Sequence, residues 1–128
     1  MPRGQIISAD CVFSDTLCWF TVSAQEGGSI INYCTVISRD GRVLAVHSAT
    51  DGDGSWLGSP GGFCPAGQAL LAPTDNGIVR LEAQGGSIQQ TRTFPDTEPF
   101  VNAETRLYAG SGGIYAVTPH EIRLLSIS

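Results

Sequence analysis

One short pattern occurs twice in this chain, and it limits the possible folds more than any other feature. Ser23-Ala24-Gln25-Glu26-Gly27-Gly28-Ser29-Ile30-Ile31 is echoed by Glu82-Ala83-Gln84-Gly85-Gly86-Ser87-Ile88-Gln89. Both copies are entered and left by runs rich in β-branched and aromatic residues. Leu17-Cys18-Trp19-Phe20-Thr21-Val22 precedes the first turn and Ile30-Ile31-Asn32-Tyr33-Cys34-Thr35-Val36-Ile37 follows it. Gly77-Ile78-Val79-Arg80-Leu81 and Ser87-Ile88-Gln89-Gln90-Thr91-Arg92-Thr93-Phe94 flank the second. Gly-Gly between such runs supplies the positive φ that a tight hairpin turn needs, so each copy reads as a β-hairpin. A third hairpin runs from Gly113-Ile114-Tyr115-Ala116-Val117 through Thr118-Pro119-His120-Glu121 into Ile122-Arg123-Leu124-Leu125-Ser126-Ile127.

Each hairpin is preceded by one more apolar run: Gly4-Gln5-Ile6-Ile7-Ser8-Ala9, Gly67-Gln68-Ala69-Leu70-Leu71-Ala72, and Thr105-Arg106-Leu107-Tyr108-Ala109. The first unit adds Arg42-Val43-Leu44-Ala45-Val46-His47 after the turn signal Asp40-Gly41. The units span residues 4–50, 67–102 and 105–127, with a Gly-rich loop at 51–66. No stretch of helical length keeps an i, i+3, i+4 apolar face free of Gly and Pro. The expected fold is all-β and antiparallel, with about three repeats of three to four strands in one domain over residues 1–128. A chain of 128 residues that is 41% hydrophobic and 15% charged is long and apolar enough to bury a core.

Repeats of this layout resemble the blades of the broad WD40 and quinoprotein-like β-propeller class. The resemblance is to the blade layout, since no Trp-Asp strand ending and no Gly-His start occur. It implies a partial β-propeller, because closed propellers have 4–8 blades. A blade buries its faces only against neighbours, so three blades leave two apolar faces to be covered. Self-association or a longer parent chain would cover them. The alternatives are a compact β-sandwich or barrel, and a β-trefoil. The unequal spacings, 63 residues from Gln5 to Gln68 and 37 from there to Thr105, run against a trefoil's symmetry.

Composition excludes several functions. The net charge is −5, and the seven basic residues are all scattered Arg, so no phosphate-tracking surface and no nucleic-acid partner is expected. No run has the roughly 18 apolar residues of a membrane helix. Residues 1–7 lack the apolar stretch of a secretory leader, which points to the cytoplasm. Cys11, Cys18, Cys34 and Cys64 lack the C-x2-4-C spacing of a zinc site. They are expected as buried thiols, with one disulfide as the alternative, and no metal or cofactor is expected.

Two loops stand out. Asp51 to Gly67 holds Trp56 and Phe63 among six glycines. Aromatics on an adaptable loop either anchor a partner or fold back to plug the core. Asp51-Gly52-Asp53 opens like a calcium loop, but Ser55, Trp56 and Gly62 occupy the later positions where that pattern needs an acid, Gly and Glu. Phe94-Pro95-Asp96-Thr97-Glu98-Pro99-Phe100 is stiffened by two prolines, and Asp96 and Glu98 would present acid to a basic partner or simply face solvent. A Cys-His nucleophile would need Cys34 or Cys64 beside His47 or His120. No nucleophile elbow or phosphate loop is present. The expected function is a non-catalytic, protein-binding β-repeat scaffold, including by self-association, with Trp56, Phe63, Asp96 and Glu98 as contacts. A carbohydrate or small-molecule binding domain using Trp56 is the second reading, and a hydrolase-type enzyme the third.

Overall fold

The computed structural model describes residues 4–14, 16–97, 101–110 and 112–125. Among these residues eleven strands form three antiparallel sheets, each a simple up-and-down meander. The first sheet holds β1 (Gln5–Phe13), β2 (Leu17–Glu26), β3 (Ser29–Ser38) and β4 (Val43–Thr50) in that order. The second holds β5 (Cys64–Ala66), β6 (Ala69–Thr74), β7 (Gly77–Gln84) and β8 (Ser87–Phe94). The third holds β9 (Arg106–Gly110), β10 (Gly113–Val117) and β11 (Ile122–Leu125). A single 3-10 turn, Pro95–Thr97, follows β8. The repeated hairpins form as their turns require: Gly27 sits at φ +62, Gly85 at +60 and Gly86 at +86, conformations that side chains with a Cβ rarely adopt.

The sheets stack, with the second in the middle. β4 packs on β7 and β8, while β5 and β6 pack on β9. Alternation along the central strands sends neighbouring residues to opposite cores. Leu70, Ala72, Val79 and Leu81 join Trp19 and Val36 between the first and second sheets. Leu71, Ile78 and Phe94 join Leu107, Ala116 and Leu125 between the second and third. β6 is accordingly buried at every residue, the pattern of a strand covered on both faces.

Two expectations change. Among the described residues no sheet closes on itself, so the barrel alternative is overturned. The units also contain four, four and three strands among the described residues, which departs further from a trefoil's equal thirds. The second sheet begins earlier than the repeat pattern placed it, because Cys64–Ala66 pairs with Ala69–Leu71 as an edge strand. Its Pro65 has no N–H to give, and an edge position tolerates that.

Candidate functional site

The long Gly-rich loop folds back onto the first core. Asn32, on β3 and fully buried, ties it down: its Nδ2 donates to Asp51 Oδ1 at 2.9 Å and to the Leu57 carbonyl at 2.8 Å. Ser23 Oγ donates in turn to Asn32 Oδ1 at 2.6 Å. Leu57 is thereby seated in the core, and Trp56 is buried with 8% of its surface exposed. One face of Trp56 stacks on His47, with centroids 5.5 Å apart, and Phe63 meets it edge-on at 6.1 Å. Farther along, the Gly62 carbonyl accepts from the Leu107 amide at 2.9 Å, which ties the loop to β9. A Cβ on Gly62 would lie 2.4 Å from the Thr105 carbonyl oxygen, so that approach needs glycine.

This corrects the expectation that Trp56 is an exposed contact. Its ring plugs the core and offers no free face for a sugar, while Phe63 is half-buried against the same cluster. The acidic loop is likewise anchored at its start. Thr97 Oγ1 accepts from the Ile78 amide at 2.8 Å and donates to the Phe94 carbonyl at 2.6 Å, and the Phe94 ring packs inward beneath Arg92. Asp96 belongs to that 3-10 turn, and Glu98 lies outside the described residues. Trp56 and Phe63 are thus brought together, at some remove in sequence from the acidic loop.

Strand register sets Cys34 directly opposite His47. The pairing is not that of a nucleophile and its base. Burial pushes the Cys34 thiol up to about 12, whereas a reactive cysteine needs its pKa lowered. Cys64 is also buried and raised by desolvation. Cys11, expected in the interior with the other thiols, is exposed, and Cys18 is half-exposed beside it. The calcium-like carboxylates are engaged within the loop: Asp51 accepts from Asn32, and Asp53 from the Ser55 hydroxyl and amide, which hold its carboxyl below the usual range. Among the described residues no three His, Cys, Asp or Glu side chains gather as a metal site.

A cleft of about 640 Å³ opens beside the first sheet. Ser8, Asp10, Thr21 and Ser23 line one wall, and Glu104, Thr105 and Arg106 the other. Its lining carries both signs of charge.

The more distinctive surfaces are the two outer faces of the stack. Register places Cys11, Phe13, Phe20, Ile37, Val43 and Val46 on the face of the first sheet turned away from the second. On the corresponding face of the third sheet, Tyr108, Tyr115 and Leu124 form one row across the strands, and Arg106, Val117 and Ile122 another. Among the described residues the exposed large apolar side chains are Ile6, Ile7, Phe13, Phe20, Val43, Val46, Tyr108, Ile122 and Leu124. Every one belongs to an end sheet and none to the middle one. These residues were missed as candidates, although Leu17 to Val22 and Tyr33 to Ile37 read apolar on both faces, the signature of a strand covered on both sides.

Set against known proteins, the chain matches no family model, no curated protein and no solved structure. Function therefore rests on the geometry. No helix among the described residues is long and apolar enough to cross a membrane.

Proposed function

We infer that this chain is a non-catalytic β-repeat module whose role is to bind protein through the outer faces of its end sheets. The observation that carries this reading is the confinement of all the exposed large apolar residues to those two sheets. It also favours reading the three meanders as consecutive blades of a partial β-propeller. Their first strands neighbour one another, β1 beside β5 and β5 beside β9, while β4 lies beside β8 on the other side, as blades around an axis would. In that arrangement the middle blade is covered twice and each end blade once, which accounts for the distribution of exposed apolar surface. Apolar burial contributes roughly 25 cal/mol per Å², so faces of this kind favour a covered state in solution.

The test is photo-cross-linking inside the producing cell. A benzoylphenylalanine at Phe20 or at Leu124 is expected to yield discrete protein adducts on illumination, and one at the exposed Gln89 of the middle sheet is expected to yield none. Absence of protein adducts at both end-sheet positions would contradict the binding role.

A further inference from the structure

We propose that the occupant of each outer face is the opposite face of a second copy of this chain, two copies joining head to tail through two equivalent contacts into a closed ring of six sheets. The inference rests on the reading of the sheets as consecutive blades and names the protein that reading leaves open.

Continuity with the interfaces inside the chain carries it. The face that the first sheet turns to the second has its successor in the face that the second turns to the third, and the next in that series is the third sheet's outer face. Going the other way, the first sheet's outer face continues the series of faces that receive a preceding sheet. The two unpartnered faces are thus the two halves of one repeating interface. Stacking like on like would break that series, whereas stacking the third sheet on another copy's first sheet extends it.

Charge agrees. Among the described strand residues, register places one ionic residue on each outer face, Glu26 on the first sheet, where it accepts from Tyr33, and Arg106 on the third, where it also borders the cleft. They are opposite in sign, which favours pairing unlike faces and disfavours pairing like ones. The other described strand residues of the two faces are uncharged, as the core of an interface requires, and Arg39 sits at the rim of the first beside Phe13 and Cys18.

Area decides between a single contact and a closed pair. Strands advance about 3.3 Å per residue and lie about 4.8 Å apart, so the third sheet's face covers on the order of 230 Å² when treated as flat. One contact, counting both sides, buries on the order of 500 Å², well below the roughly 1,000 Å² that a stable interface needs. Two contacts in a closed pair reach about that threshold before side-chain relief is added. Six sheets also fall within the 4–8 blades of closed propellers. A heterologous contact that closes gives a defined pair; one that does not gives open chains.

The experiment uses the purified full chain. Sedimentation at a protein concentration on the order of 100 μM, above the micromolar dissociation expected of an interface this small, should show a particle of two copies. Phe20→Glu on one face and Ile122→Glu on the other should each lower the association constant by at least about 100-fold, because either buries an unpaired carboxylate. Val46→Glu and Leu124→Glu, at positions that are also exposed, repeat the test should either first variant lose its far-ultraviolet β signal. Benzoylphenylalanine at position 20 should cross-link, within the two-copy band, to the tryptic peptide spanning residues 107–123 of the other copy. A wild-type chain that sediments as a single copy overturns the inference. So does dissociation by only one of the two face variants, or a cross-link from position 20 to residues 4–39 of the other copy, which would mean like faces pairing. Should cellular adducts at positions 20 and 124 contain a different protein while the purified chain stays single, the binding role stands and the second copy falls.

Discussion

Trp19→Ala lowers the unfolding free energy by about 3–5 kcal/mol, the cost of truncating a fully buried large side chain. That is a large part of the 5–15 kcal/mol that holds a domain of this size together, so the variant is substantially unfolded on mild heating. Trp19 lies on the inner face of β2, between the first and second sheets, which are otherwise joined by a lone backbone bridge from Ala45 to Gly86. Its indole N–H finds no acceptor among the described residues. Leaving a donor buried and unpaired costs about 1–3 kcal/mol, so Trp19→Phe gives up packing but removes that cost, and should lose far less stability than Trp19→Ala. Urea denaturation monitored by circular dichroism checks both. An alanine variant within about 1 kcal/mol of the wild type would mean that the first two sheets do not share this core.

The second large effect belongs to Asn32. Asn32→Ala removes three hydrogen bonds at once and leaves the Leu57 carbonyl without its donor in the interior. The expected cost is about 2–4 kcal/mol. A structural readout separates it from general destabilisation, since Asn32 supplies the side-chain tether of residues 51–57 to the first sheet, beside the backbone bond from the Asp51 amide to the Ile30 carbonyl. In a Trp19→Phe background Trp56 is the sole tryptophan, and its emission should move to longer wavelength when Asn32 is replaced. Hydrogen exchange over residues 51–63 should accelerate while β6 and β7 keep their protection. An unchanged Trp56 environment would show that the loop is held by its own packing.

Most strands were legible because they alternate or run apolar between Gly-rich turns, and the Gly27-Gly28 and Gly85-Gly86 signals mark their hairpins correctly. β5 was not. Three residues including Pro65, next to a Gly-rich stretch, carry no period, and their strand character comes only from pairing with β6. The burial of Trp56 was equally hidden, because it depends on Asn32 donating across 25 positions to Leu57, and no local pattern records such a bond. The loop aromatics were read by residue type, which cannot distinguish a ring that seeks a partner from a ring that plugs a core. The better signal lay in β2 and β3, where Trp19, Cys34 and Val36 face one way and Phe20, Tyr33 and Ile37 the other. A strand apolar on both faces asks for two covers, and within one chain the first sheet has only one. Cys11 lies on that same outer face and is exposed.

Small-angle X-ray scattering of the wild-type chain tests most directly whether the outer faces are covered. A closed pair of 128-residue chains has an expected radius of gyration of about 18 Å, against about 14 Å for one compact copy. The account predicts the larger value, with a forward-scattering mass twice the 13.5 kDa of the chain. A radius near 14 Å and a mass of one chain, unchanged as concentration rises, would contradict it.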